Sequence, residues 1–219
     1  LPMYGEVVME GLVPGYIVSV SLTWMLARVD VEYKVSGEIF KLEEIYLVNY
    51  NTSGYIAPKW NETDGVLVPN PYATNENPMI PVPSGKQPGV EEAAMKYEYK
   101  QAINAPGALM AGEIYTYEAV KNVKDDPGNG VCLIIKGKYM GEDYYYRVDF
   151  TLESELPIDI AYMPLYRNHK YVVTVTDAEG IGYRTFEEAL RSFGVLSNLK
   201  TSILVVNLEG INHIVYDGQ

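Results

Sequence analysis

Along most of this chain apolar and polar residues alternate one by one. Val18, Val20, Leu22 and Trp24 alternate with Ser19, Ser21 and Thr23, and after a break near Met25–Ala27 the residues Val29, Val31, Tyr33 and Val35 alternate with Arg28, Asp30, Glu32 and Lys34. A side-chain period of two, with β-branched residues on it, is what a pleated strand selects. Residues 18–35 are therefore expected to form one long or kinked strand with a wet face. "IFKLEEIYLVNY" (39–50) predicts the next strand and "NTSG" (51–54) a turn. Tyr144, Tyr146, Val148, Phe150 and Leu152 alternate with Tyr145, Arg147, Asp149 and Thr151, and "MGED" (140–143) can connect them back to 131–139 as a hairpin. Tyr171, Val173 and Val175 alternate with Val172, Thr174 and Thr176, and Asp177, Glu179, Gly180 and Gly182 supply turn chemistry afterwards.

Two stretches lack the alternation. Val131, Leu133, Ile134 and Ile135 make a continuous apolar run of the kind buried on both faces, with the single cysteine, Cys132, inside it as a core thiol. "SILVVNLEG" (202–210) reads the same way through Ile203, Leu204, Val205, Val206 and Leu208, so 203–208 is expected to be a core strand. "INHIVYDGQ" (211–219) alternates again and is expected at an edge. Only "RTFEEALRSFG" looks helical: Thr185 and Glu188 fit a capping box, Phe186, Ala189, Leu190 and Phe193 share a face, and Gly194 can end the helix near 193. Residues 57–92, dense in Pro, Asn and Gly, have no clear period and read as a long irregular connection. One short helix among strands predicts an all-β protein of sandwich type.

Composition narrows the function. The 219 residues are 47% hydrophobic, with a mean hydropathy of -0.08, enough for one large or two modest cores. With 29 acidic against 17 basic side chains the net charge is -12, which disfavours nucleic acid and anionic lipid as partners and fits an extracellular or periplasmic setting. No apolar run approaches the ~20 residues that span a bilayer, and Leu1 opens neither with an initiator Met nor with a signal-peptide pattern. A lone cysteine rules out an internal disulfide.

The chemistry is sparse. His169 and His213 lie far apart with no metal-ligand spacing, and "DDPGNG" (125–130) opens like a calcium loop but has Lys136 where the loop needs Glu, so a turn is the better reading. Nucleophile elbows and phosphate loops are absent, and Glu43–Glu44 and Glu187–Glu188 are adjacent pairs that diverge in a strand or helix. No enzyme, metal or cofactor is expected. The 20 tyrosines, "YYY" at 144–146 above all, suit either half-buried strand positions or a sugar-stacking surface, the former preferred.

Four segments together carry a resemblance. "LYRNHKYVVTVTDAEGIG" (165–182) resembles the signature near the end of the C-terminal domain of the fimbrillin family, the major and minor fimbrial subunits (type V pilins) of Bacteroidetes. "LPMYGE" (1–6) with "VSVSLTWMLARVDV" (18–31), in which Trp24 stands where the family has a basic residue, "GEIYTYE" (112–118) and "CLIIKGKYMGEDYYYRVDF" (132–150) are similar to further family segments and occur in the family's order. The resemblance implies two transthyretin-like β-sandwich domains with Greek-key connections, here 1–75 and 76–219. It further implies a subunit exported as a lipoprotein precursor to the cell surface and outer membrane, trimmed by proteolysis and polymerised with other pilin subunits by donor-strand exchange, with a host or bacterial surface ligand for adhesion. The chain is expected to open within the N-terminal domain and to stop where many relatives continue, which makes Ile211, Ile214, Val215 and Tyr216 the candidate assembly segment and leaves the isolated chain mainly monomeric. The alternative is a surface carbohydrate-binding sandwich that never polymerises. Arg167, Asn168, His169 and Tyr171 are expected to form a structural motif that orients the loop into a core strand by hydrogen bonds to backbone carbonyls and nearby carboxylates.

Overall fold

The computed structural model describes residues 2–7, 11, 17–51, 54–57, 60–63, 66–69, 91, 94–98, 108–119, 130–152, 161–194, 197–208 and 213–217. In chain order its strands are β1 (Met3–Tyr4), β2 (Ile17–Ser21), β3 (Thr23–Trp24), β4 (Ala27–Tyr33), β5 (Phe40–Val48), β6 (Trp60–Thr63), β7 (Val66–Pro69), β8 (Met95–Glu98) and β9 (Ala108–Thr116). There follow β10 (Cys132–Tyr139), β11 (Glu142–Asp149), β12 (Thr151–Leu152), β13 (Ala161–Tyr162), β14 (His169–Ala178), the helix α1 (Phe186–Arg191), β15 (Leu199–Asn207) and β16 (His213–Asp217). The expected break in the first long strand falls between β3 and β4, at Met25 and Leu26.

The alternating segments bury one side in a shared core. Sheet I has the order β11-β10-β5-β8 and is antiparallel throughout; sheet II has the order β15-β14-β4-β9, with β14 and β4 parallel and the other pairs antiparallel. Leu42, Ile45, Leu47, Leu133, Ile135, Tyr146 and Val148 of sheet I meet Val29, Val31, Tyr33, Ile114, Tyr171, Val173 and Val175 of sheet II in one cluster. Each such aliphatic side chain, fully withdrawn from water, contributes ~1.5–3 kcal/mol. Two facing sheets around one core make a β-sandwich.

That core crosses the expected boundary at 75/76. β4 and β5 lie before it, yet β4 pairs with β14 and β5 with β10, so among the described residues both halves of the chain build one sandwich rather than two. The irregular stretch also differs from expectation, since β6 and β7 pair antiparallel within it, on either side of Asp64-Gly65, a dipeptide that favours hairpins. Residues 58–59, 64–65, 70–90 and 92, the centre of the 51–54 turn, residues 125–129 and Ile211 fall outside the described residues.

The expected hairpin forms as β10–β11, closed by Met140 (φ 53) and Gly141 (φ 90), two left-handed residues whose turn matches the twist of the strands. After β14 the chain leaves sheet II and places α1 on the outer face of sheet I. There Phe186, Ala189 and Leu190 bury against Tyr46, Val48, Cys132 and Ile134. The continuous run 131–135 is thereby explained: Leu133 and Ile135 face the sandwich, Cys132 and Ile134 the helix. Thr185 and Glu188 form the capping box, but the helix ends at Ser192 and Phe193 is only half-buried.

Two expectations of burial fail. Asp30, assigned to the wet face of β4, is 1% exposed, because β9 bulges at Gly112 (φ 73) and the carboxylate accepts from Gly112 N at 2.9 Å and from both Arg28 Nε and Nη2 at 2.8 Å. More consequentially, β15 is not a core strand. Among the described residues it pairs with β14 alone, at the end of sheet II, leaving Leu204 63% and Val205 36% exposed while Ile203 packs against the core. An apolar run without a period says that cover is needed but not that the chain supplies it.

Candidate functional site

β14 begins at His169, and what happens just before it organises one end of the sandwich. β4 runs parallel to β14 and β15 antiparallel to it, so the two flanking strands are antiparallel to each other. Beyond the start of β14 no described residue stands between their continuations, and β2 pairs directly with β16: Ser21 opposite His213, Val20 opposite Ile214, Ser19 opposite Val215, Val18 opposite Tyr216. Three strands thus become two, and Asn168 sits in the fork.

A fork strands backbone groups that lose their neighbour, and buried backbone groups must be paired. Asn168 pairs them. Its N–H donates to Leu26 O at 3.1 Å and its carbonyl accepts from Leu208 N at 2.7 Å. The side-chain Oδ1 accepts from Trp24 N at 3.1 Å, while Nδ2 donates to Leu208 O and, at 3.3 Å, to Asn207 Oδ1. The backbone is left-handed (φ 59), a conformation asparagine tolerates better than most residues.

Arg167 points the other way and is fully buried. Its Nη2 donates to Tyr55 O and to Glu118 Oε2, both at 2.7 Å, and Nη1 to Ile56 O at 3.0 Å, tying the segment after β5 and the end of β9 to the entrance of β14. Arg167 Nε and Glu118 Oε1 are left without hydrogen-bond partners. His169 Nδ1 lies 2.8 Å from Arg167 O; a carbonyl only accepts, so Nδ1 carries the hydrogen. Burial lowers the His169 pKa, against the pull of the Arg167 carbonyl and the Glu118 charge, and the ring, tilted against Tyr166 at 5.5 Å, is neutral at neutral pH. Tyr171 closes the turn: its hydroxyl donates to Pro164 O at 3.0 Å and accepts from Tyr166 N at 2.8 Å, and its ring meets Phe150 edge-on at 5.8 Å. Burial pushes this phenol pKa up.

The structure therefore brings Arg167, Asn168, His169 and Tyr171 together as a joint between elements. Of the candidate assembly segment, Ile214, Val215 and Tyr216 lie on β16 against β2. The arrangement can hold strands; it presents no nucleophile beside a base, and among the described residues no three metal-ligating side chains converge.

A second buried ion pair escaped the sequence reading. Arg147 and Asp149, alternating polar positions of β11, lie under α1: Arg147 Nε donates to Asp149 Oδ1 at 2.7 Å, its Nη1 caps the Leu190 carbonyl at the end of the helix, and Asp149 Oδ2 accepts from Gly194 N at 2.9 Å. Arg147 Nη2 and Tyr162 OH remain unpartnered. The available signal was the helix itself, whose last turn needs donors for its free carbonyls. Beside this pair Cys132 is wholly buried, and burial pushes its thiol pKa up to about 12, so it is inert. Tyr144 and Tyr146 are in the core and Tyr145 packs on Phe186, so "YYY" is not an exposed stacking surface.

No protein-family model matches the chain, and no curated protein matches it in sequence. Among solved structures it is similar to a protein of Bacteroides eggerthii DSM 20697 assigned to cell adhesion, with a TM-score of 0.46 and 16% identity over 86% of this chain and 57% of that one. It is similar also to the tip fimbrial protein Mfa3 of Porphyromonas gingivalis with C-terminal truncation, at a TM-score of 0.40 and 15% identity over 83% of this chain and 52% of that one. A protein of Parabacteroides distasonis ATCC 8503 assigned to cell adhesion matches at a TM-score of 0.40 and 14% identity, over 88% of this chain and 55% of that one. The chain spans about half the length of these structures. TM-scores below 0.5 do not by themselves carry a shared function.

Proposed function

We propose that the protein is a structural or accessory subunit of a cell-surface fimbria, joined to other pilin subunits by exchange of a strand and supporting adhesion. The observation that carries this reading is the pairing of β16. Among the described residues it is laddered to β2 and to no strand of either four-stranded sheet. A strand held on one side by main-chain bonds is replaceable by the same strand of a second copy, because the ladder formed is identical. The four sequence segments in family order support the same function, and export as a lipoprotein precursor to the outer membrane rests on that resemblance alone. The Asn168 joint then serves assembly indirectly, by fixing Trp24 and Leu208, which flank the β2–β16 pair on its two strands.

The test uses the register. Ser19 and Val215 face one another across β2 and β16. In the Ser19→Cys/Val215→Cys double variant, oxidised at high protein concentration, strand exchange yields a ladder of disulfide-linked dimers, trimers and longer species on non-reducing gels. A product that is cross-linked only within single chains at every concentration sinks the exchange of this segment.

A further inference from the structure

Natural edge strands are guarded by charge, proline or a bulge against pairing with another chain. Each of the other three edges of the two sheets carries carboxylates: Glu98 on β8, Glu113 on β9, Glu142 and Asp143 on β11. β15 has none, and from Thr201 to Asn207 it has no charge of either sign, in a chain of net charge -12. Its single ladder irregularity lies at the far end, between Val175 and Asp177 opposite Lys200. Two copies of this acidic molecule meet least repulsion along this seam.

The backbone parity of β15 decides how they would meet. Leu208 N donates to Asn168 O, and on an antiparallel strand alternate residues direct their N–H and C=O to the same neighbour. Val206, Leu204 and Ser202, opposite Lys170, Val172 and Thr174, therefore face β14. Lys34 N bonding to Val175 O confirms that the odd residues of β14 face β4. Among the described residues no strand meets the other side, so Thr201, Ile203, Val205 and Asn207 present their backbone groups at an open edge.

These four positions are symmetric about Leu204. We propose that two copies of the chain pair antiparallel through β15 about a twofold axis at Leu204, joining sheet II of each into one continuous sheet. Thr201 of one copy meets Asn207 of the other, and Ile203 meets Val205, so polar opposes polar and β-branched opposes β-branched, and every free backbone group from 201 to 207 finds a partner. Leu204, 63% exposed in the single chain, meets its own counterpart at a pair without backbone bonds, where Cα atoms approach to about 4.5 Å and side chains are closest. Val205, 36% exposed, is covered on the side that faces the sandwich. Such an interface is isologous and closes at two copies. It is thus separate from the exchange of β16, which leads to open chains. The sequence expectation of a mainly monomeric chain concerned polymerisation through a donor strand, whereas this pairing needs none.

The experiment is analytical ultracentrifugation of the 219-residue chain over a concentration series, with two variants at one position. The wild type should show a concentration-dependent monomer–dimer equilibrium. Leu204→Lys, at a side chain that is exposed in the monomer, should weaken the dimer at least about tenfold by setting like charges face to face, with the melting temperature of the dilute monomer unchanged. Leu204→Cys should give a covalent dimer and nothing larger on mild oxidation, Cys132 being out of reach in the core. A wild type that stays monomeric at all concentrations, a dimer that survives Leu204→Lys, or a dimer that Leu204→Cys fails to link would each overturn the proposal.

Discussion

Sheet I and sheet II share one core, but they differ on their outer faces. Sheet I is covered twice, by sheet II on one face and by α1 on the other, and it holds a buried ion pair, Arg147–Asp149, between strand and helix. Sheet II is covered once among the described residues, by sheet I. Its outer face carries short polar links such as Arg28–Asp30 and Thr174–Glu32, and it ends in the exposed β15. The contrast is sharpest between two segments with the same sequence signature: 131–135 and 203–206 are both unbroken apolar runs, one central under a helix and the other at an open edge. Hydrophobicity states a need for cover, and topology decides where the cover comes from: in the first case a helix brought from elsewhere in the chain, in the second, on our proposal, another molecule.

Removing one partner of the buried pair should have the largest effect. Arg147→Ala leaves the Asp149 carboxylate buried with its main counter-charge gone and the Leu190 carbonyl uncapped, and the loss of one member of such a pair costs ~3–5 kcal/mol. Urea unfolding should show this as a lower midpoint, with α1 lost first in amide exchange. A change under ~1 kcal/mol would mean that sheet I is not dependent on its helix.

That pair also shows where the sequence was silent. The hairpin β10–β11, the capping box of α1 and the strands β4, β5 and β14 were legible because their signals are local: a period of two, a Met140–Gly141 turn, a Thr185–Glu188 spacing. Arg147 and Asp149 look like any polar positions on a half-wet strand, since the helix that buries them comes some forty residues later. The fork at Asn168 was legible as a strand entrance but not as a joint, because Trp24, Leu26 and Leu208, which complete it, come from the two ends of the chain. The single core was hidden for the same reason: the parallel pairing of β4 with β14 has no local signature.

A smaller effect compares the two runs directly. Ile134→Ala removes a wholly buried side chain from between sheet I and α1 and should cost ~2–4 kcal/mol, whereas Leu204→Ala removes one that is 63% exposed and should cost under ~0.5 kcal/mol in the dilute monomer. Thermal melts at low concentration measure both. Equal losses would show that β15 is covered within its own chain, and the contrast between the sheets would collapse.

The smallest effect is the histidine response to mild acid, which belongs to sheet II. His169 is buried and packs against Tyr166, its Nδ1–H bonded to Arg167 O, with Glu118 the nearby charge, and burial holds its folded pKa below the ordinary value of 6.5. The unfolded chain therefore takes up the proton first. The neutral ring favours the fold fully above about pH 6.5, and that stability is lost as pH falls from there through the lower folded pKa. In a His213→Gln background, which removes the other histidine, melting temperature should fall between pH 7 and pH 5, and His169→Gln should flatten that slope. Amide exchange in the same range should quicken at the base of β14, around 168–170 and Leu208, before it quickens in β10 or α1. A slope unchanged by His169→Gln, or exchange that rises first under the helix, would place the acid response outside the fork and leave sheet II no more sensitive than sheet I.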